Sequence, residues 1–409
     1  MGTSIEMTTR LLTFLSTRAQ YGRLKPVLQT LSRRSGFDLG VVVSGGAVVH
    51  DFGELVPVLE SDDVPVVAEL ENLIDGGTPT AQAKTTGLQL IEYATVIDDH
   101  DPDTILMTGD RYETMAATLA ASYTNVPVVH FEGGEITGSI DEKVRHATTK
   151  MADYHFVSTD RSRRIVESLG EDPDRVFDTG CPSIDVARSV DETADPRYDP
   201  QEEYTGVGSE IDVSEDYLLV QYHPLPTEYQ SNREKTESLI DAIHELRIPT
   251  FWFWPNMDAG TDQVSGAIRT YREQRSPDHV RFFINMEPED YLTLVRNAAC
   301  VVGNSSVGIR ECSYFGTPTV NIGPRQQYRE RGHNVTDVPC EADQIAAAVE
   351  AQLEHGDYER SELYGDGDAT ERIVSLLDQL EFDRKGSMDP SRFDFDDDGR
   401  PVERTVESV

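Results

Sequence analysis

Lysine is nearly missing from this sequence, with six residues in 409 against thirty arginines. Basic residues of both kinds are outnumbered 74 to 36, which leaves a formal net charge of −38. A surface this acidic repels nucleic acid and anionic membranes, so neither is expected as a partner. Cysteine is also scarce. Cys181, Cys300, Cys312 and Cys340 form no CxxC pair, and their spacings suit neither zinc nor a disulfide framework. Reduced, buried thiols in a cytoplasmic protein are the expectation. Long hydrophobic runs are missing as well, and no stretch approaches membrane-spanning length. Leu11–Leu15, broken by Thr13, is too short for a secretory signal core. The opening Met1–Glu6 has Glu6 where myristoylation needs Ser or Thr.

What is present is a series of short apolar runs, including Val41–Val43, Ile105–Met107, Val126–Val129 and Val301–Val302. Runs of this kind bounded by Gly, Asp or Pro read as buried parallel strands. Strands are expected at Leu11–Leu15, Phe37–Val43, Thr104–Thr108, Val126–Phe131 and Tyr154–Val157. Helices are expected at Leu24–Ser32, Thr86–Asp98, Tyr112–Tyr123 and Asp141–Met151. A second alternating series runs from Tyr217 to Ile322, followed by helices at Ala342–His355 and Thr370–Leu380. The alternation predicts an α/β fold of two parallel, doubly wound domains with a cleft between them. The expected division is a first domain over 9–189, an acidic linker or insertion over 190–216 and a second domain over 217–365. A C-terminal helix over 366–382 would pack back on the first domain, and an acidic, disordered tail would cover 383–409.

Ligands of such sheets sit beyond the carboxyl ends of the strands, so the residues that follow strands carry the information. After the first strand comes Ser16-Thr17-Arg18-Ala19-Gln20-Tyr21-Gly22, a turn into a helix start that suits a phosphate. Taken alone, it reads as a plain cap with a surface arginine. Gly109-Asp110-Arg111 follows another strand, and His130-Phe131-Glu132-Gly133-Gly134-Glu135 the next. Asp141 then opens a helix that carries Arg145 and His146. Asp141 by itself reads as a helix cap. Asp110, Glu132 and Asp141 together, converging on one crevice, read as proton-handling groups.

In the second half, His223 follows a strand in Gln221-Tyr222-His223-Pro224. Gly303-Asn304-Ser305-Ser306-Val307-Gly308-Ile309-Arg310-Glu311 is a strand, a small-residue loop and a helix. Its amides and hydroxyls can hold a diphosphate, and Glu311 can accept both ribose hydroxyls. Gly323-Pro324-Arg325-Gln326-Gln327-Tyr328-Arg329-Glu330-Arg331-Gly332 is a basic loop in an acidic chain, as an anionic ligand requires.

Six motifs, TRAQYG, GDR, HFEGGEITGSIDEKVRH, GCPSID, GNSSVGIRE and GPRQQYRERG, occur in an order that resembles the hydrolysing UDP-N-acetylglucosamine 2-epimerase family. These are the enzymes that open sialic-acid-type sugar synthesis, and the resemblance runs from about Leu11 to about Asp343. It implies two Rossmann-like domains of the glycosyltransferase-B type, no metal and no nicotinamide or other cofactor, a nucleotide-sugar substrate, and a homodimer or homotetramer. It also implies catalytic roles for Asp110, Glu132, Asp141 and His223. Arg18, Arg111, Arg145, Asn304, Ser305, Ser306, Glu311 and Arg325 would bind UDP or the sugar. The implied reaction takes UDP-N-acetylglucosamine and water to N-acetylmannosamine and UDP through a glycal. The alternatives are UDP-N,N'-diacetylbacillosamine as substrate, as in legionaminic acid synthesis, and a non-hydrolysing epimerase. The chain departs from the family pattern at Ser16, Gln20 and Ala47, the last standing where the family has histidine. The acids are spread along the whole chain and lysine is scarce, as in proteins of halophilic archaea whose salt-rich cytoplasm screens carboxylates from one another.

Overall fold

The apolar runs become the strands of two seven-stranded sheets in the computed structural model, which describes residues 8–50 and 54–386 and two short strands at Asp394–Phe395 and Pro401–Val402. The first sheet contains β1 (Thr9–Leu15), β2 (Phe37–Ser44), β3 (Val66–Leu70), β4 (Thr104–Thr108), β5 (Val128–Phe131), β6 (Tyr154–Val157) and β7 (Val176–Asp178). Every pairing is parallel, in the order β3-β2-β1-β4-β5-β6-β7. The helices of this half are α1 (Arg18–Arg33), α2 (Val56–Ser61), α3 (Pro79–His100), α4 (Tyr112–Thr124), α5 (Ile140–Met151), α6 (Asp160–Ser168) and α7 (Pro182–Thr193). On one face Leu24, Val27, Leu28 and Leu31 of α1 pack against Leu11, Leu15, Val41 and Val43. On the other, Tyr93 and Ile97 of α3 and Ala117 and Ala121 of α4 cover Leu12, Phe14 and Ile105. Strands covered on both faces must be apolar throughout, and the five residues of β4 are all buried.

The second sheet contains β8 (Val207–Gly208), β9 (Leu218–Gln221), β10 (Thr250–Phe253), β11 (Val280–Phe283), β12 (Cys300–Gly303), β13 (Thr319–Ile322) and β14 (Val335–Val338), in the order β14-β13-β12-β9-β10-β11-β8. Only β8 is antiparallel. Its helices are α8 (Asn232–Leu246), α9 (Thr261–Arg275), α10 (Pro288–Asn297), α11 (Glu311–Phe315) and α12 (Ala342–His355). A final helix, α13 (Ala369–Gln379), returns to the first domain and buries Ala369, Ile373, Val374 and Leu377 in its core.

Two boundaries differ from the sequence expectation. Helix α7 buries Ile184, Val186, Ala187 and Val190 in the core of the second domain. The segment expected as a linker supplies β8, which hydrogen-bonds to β11, and buries Ile211. Ile211, with Tyr198, Tyr204 and Val213, packs on the core of the second domain, and these few apolar residues are too scattered among acidic ones to show a period. The expected disordered tail lies mostly outside the described residues, as does the Met1–Glu6 opening. The tail's start, residues 383–386, packs down: Arg175 pairs with Asp383 at 2.9 Å, and Lys385 Nζ reaches Glu171 at 2.8 Å. Cys181, Cys300 and Cys312 are buried free thiols, and Cys340 is half-buried. Among the described residues no helix is long and apolar enough to cross a membrane.

Each sheet has a switch point where the winding direction reverses. In the first it lies between β1 and β4, and in the second between β9 and β12. The loops beyond these four strands begin at Ser16, Gly109, Tyr222 and Asn304, and they meet across the cleft.

Candidate active site

Asp110, after β4, and Glu132, after β5, lie close enough for their charges to act on each other. Arg145, 1% exposed on α5, donates hydrogen bonds to Asp110 and, at 2.7 Å, to the Glu135 carbonyl oxygen. Arg329 of the second domain stands 3.5 Å from Asp110 and 2.9 Å from the Glu135 carboxylate. Burial alone would raise the Asp110 carboxyl. Arg145, Arg329, Arg23 and Arg325 outweigh it and hold Asp110 well below the usual carboxylate range.

Glu132 lies in a left-handed backbone conformation, φ +61°, which residues other than glycine rarely adopt. Neighbouring Gly134, at φ +79°, lies so close to α6 that a Cβ there would come within 2.2 Å of the Ser162 carbonyl oxygen. The loop is therefore pressed into a single shape. The Glu132 carboxylate is held on both oxygens, by Arg310 at 2.7 Å and by Arg23 at 2.9 Å. Burial opposes its charge, but Arg23, Arg310 and Arg329 bring it down to about 2.

Asp141 differs. It is half-buried at the start of α5, and its carboxylate accepts from the Ser139 hydroxyl at 2.8 Å. Among the described residues no arginine lies within ion-pair distance of it, unlike Asp110, Glu132 and Glu135. Burial, with the nearby charges of Asp110 and Asp258, pushes Asp141 up to about 6. Of the three candidate carboxylates, Asp110 and Glu132 are fixed as anions and Asp141 changes charge near neutrality, a separation typical of paired proton-handling groups.

His223 is buried, and desolvation with Arg325 and Arg111 lowers it to about 3, so the ring is neutral. Its Nδ1 accepts from the Asn256 amide at 3.1 Å, which puts the proton on Nε2. Asn304 is fully buried and committed to the fold. Its side chain accepts from the His223 amide at 2.7 Å and donates to the His223 carbonyl at 2.8 Å. The Asn304 side chain thus holds the two switch-point loops together. Its own carbonyl accepts from Arg325 at 3.1 Å. Ser305 caps the following turn at the Val307 amide, and the Ser306 hydroxyl accepts from Arg23 at 3.4 Å. Glu311 is buried, which raises its carboxyl. Its Oε2 has no hydrogen-bond partner among the described residues, leaving one acceptor open. Arg18 reaches Glu287 at 3.2 Å, and Arg111 pairs with Asp258 at 2.7 Å and Glu113 at 3.1 Å. Both pair with the second domain across the cleft. A cavity of about 380 Å³ lies beside the site, between Gly76, Gly77 and Tyr112 on one side and Trp254, Met257 and Asp262 on the other.

A protein-family model described as UDP-N-acetylglucosamine 2-epimerase matches residues 29–378. The chain belongs to the UDP-N-acetylglucosamine 2-epimerase family. A relative from Legionella pneumophila, UDP-N,N'-diacetylbacillosamine 2-epimerase (hydrolyzing), is 32% identical over 88% of this chain and 93% of its own length. UDP-N-acetylglucosamine 2-epimerase of Neisseria meningitidis is 26% identical over 91% of this chain and 96% of its own. The fold matches the crystal structure of UDP-GlcNAc 2-epimerase from Neisseria meningitidis bound to UDP-GlcNAc, with a TM-score of 0.73 at 20% identity, covering 91% of this chain and 100% of that one. The two-domain, glycosyltransferase-B-like architecture is thus that of the epimerase family.

Five further residues pair with the candidate residues in this cleft, and sequence reading did not single them out for it: Arg23, Glu135, Asp258, Arg310 and Arg329. Arg310 and Arg329 stood inside motifs already noted, but nothing in their spacing shows that they reach across to the other domain. Arg23 lies five residues after Arg18 on the same helix, in the polar stretch before its apolar period begins.

Proposed function

We propose that this member of the family is a hydrolysing 2-epimerase that takes UDP-N-acetylglucosamine and water to N-acetylmannosamine and UDP. The observation that carries this reading is the unpaired, half-buried Asp141, poised near neutrality beside arginine-held anions. In the first step the C1–O bond breaks and UDP leaves with the electron pair. A carboxylate takes the C2 proton, and a C1–C2 glycal results. Asp141 is the group able to take that proton at neutral pH. Arg325, Arg18, Ser305, Ser306 and the amides after β12 stabilise the departing diphosphate, and Glu311 accepts the ribose hydroxyls. Water then adds at C1, and a proton returns to C2 on the opposite face. Asp110 and Glu132, fixed as anions, favour the positive character that builds at C1 as UDP leaves.

The Legionella relative favours a second substrate, UDP-N,N'-diacetylbacillosamine, which differs at C4 and C6 and leaves the chemistry at C1 and C2 unchanged. We further propose a cytoplasmic homo-oligomer adapted to high salt, on the strength of the −38 charge and the scarcity of lysine. Phosphorus NMR of the protein with each UDP-aminosugar tests the reaction. Free UDP should appear in equal amount with a free reducing aminosugar, without added metal or nucleotide cofactor. Accumulation of an epimeric UDP-sugar without stoichiometric UDP would overturn the hydrolytic reading.

A further inference from the structure

Arg310, 1% exposed, is the residue by which the second domain takes hold of a carboxylate of the first. Its Nη1 lies 2.7 Å from one oxygen of Glu132, and its Nη2 lies 2.7 and 2.8 Å from the two oxygens of Glu135. One guanidinium therefore clips both ends of the strained Glu132–Glu135 loop from across the cleft. Glu135 is 5% exposed, and among the described residues its carboxylate forms ion pairs with Arg310 and Arg329 alone, both from the second domain.

We propose that Arg310 is a positioning residue that ties the placement of the Glu132 carboxylate to closure of the two domains, with Glu135 as its second anchor. The inference rests on the reading of Glu132 as part of the proton-handling site. The groups that face Glu132 are Arg23 from α1, Arg310 from the loop before α11, Arg329 from the loop after β13, and Asp110 from the loop after β4. The Cys181 thiol at the head of α7 lies 3.4 Å away. Of the three arginines, two belong to the second domain. When the domains part, Glu132 keeps only Arg23 of the three. Closure restores the other two and aims the carboxylate, and loss of Arg310 alone from the closed, buried site raises its carboxyl. The planar fork of arginine suits this task, because its fixed, spread donors meet two carboxylates in one set geometry, which a compact, freely rotating ammonium does not impose.

The test uses the full chain with Arg310→Met, Arg310→Lys and Glu135→Gln, assayed for UDP release between pH 5 and 8. Arg310→Met should lower kcat by about 10²-fold, the effect of a misplacement near 1 Å, with KM little changed. The acid limb of kcat should steepen from one proton to two, as Glu132 joins Asp141 in titrating. Arg310→Lys should recover part of the loss, and Glu135→Gln should fall between wild type and Arg310→Met. A folded Arg310→Met with wild-type kcat and acid limb, or a loss confined to KM, would overturn the proposal. Thermal melts of Arg310→Met, Glu132→Gln and the double variant test the contact without relying on turnover. The double variant should lose less than the sum of the two singles. Additive losses overturn the inference whatever the activity. A wild-type protein that releases no UDP would instead overturn the proposed reaction.

Discussion

A single added methyl group at Gly138 should disable the site while leaving both domains folded. Gly138 lies on the first domain in the loop that leads to Ser139 and Asp141, and it meets the second domain at Pro324, beside Arg325. A Cβ there would stand 2.0 Å from the Pro324 carbonyl oxygen and 3.0 Å from its carbon, where ordinary contact begins at 3.4 Å. Both partners are backbone, so neither can swing aside. The domains must separate locally by more than an ångström, which draws Asp141 away from Arg325. A misplacement of about 1 Å costs roughly 10²-fold in rate. Gly138→Ala should therefore lower kcat/KM by about that factor, with an unchanged far-UV circular dichroism spectrum. Gly46→Ala is the control. Its Cβ would also fall at 2.0 Å, but from the Met257 sulfur, the end of a flexible side chain that can turn away. It should lose far less. Near-normal turnover in Gly138→Ala, or equal losses in the two variants, would refute the argument that these backbones must touch for catalysis.

Asp141→Asn should reduce kcat by about 10²–10⁴-fold, as loss of a proton-transfer group does. In the wild type, Asp141 takes up a proton as the pH falls through about 6, so kcat should be full above that pH and decline below it; a flat profile from pH 5 to 7 would remove Asp141 as the base. Arg325→Ala should weaken UDP binding in calorimetry by about 1.5–3 kcal/mol, the range for hydrogen bonds to charged groups. Arg164→Ala, which breaks a surface pair with Asp160 on α6, should leave UDP affinity unchanged; equal losses would place the diphosphate elsewhere. The melting temperature should rise with KCl, because screening shortens the reach of carboxylate repulsion from about 10 Å at 0.1 M to about 3 Å at 1 M; a curve that is flat or falls with salt would contradict the high-salt adaptation.

The central strands were legible because burial on both faces leaves an unbroken apolar run: Thr104–Thr108 and Tyr154–Val157 match the structure residue for residue. Edge strands were not legible. In β3 exposed residues alternate with half-buried ones, and β14 buries none of its residues fully, so neither shows a run. The start of α1 was hidden for a different reason. Its apolar period begins at Leu24, but Thr17 caps the helix seven residues earlier, and the intervening turns carry Arg18 and Arg23 toward the cleft. Polarity placed there for function erases the hydrophobic signal for helix. The same logic limits the site. Acids that follow strands can be found by position, whereas Arg310 and Glu135 acquire their meaning only from a partner about 175 positions away along the chain.

The return of α13 to the first domain has a consequence for how the protein is made. Ala369, Ile373, Val374 and Leu377 complete a core begun by Leu11 and Leu24, yet the whole second domain is translated between them. At about 5–20 residues per second, the gap between α7 and α13 amounts to roughly ten to forty seconds of synthesis. During that time α1 presents an uncovered apolar face on the ribosome. The first domain to emerge is therefore the last to be finished, and a chain cut before Ala369 holds every strand of both sheets yet lacks the helix that completes the first domain's core.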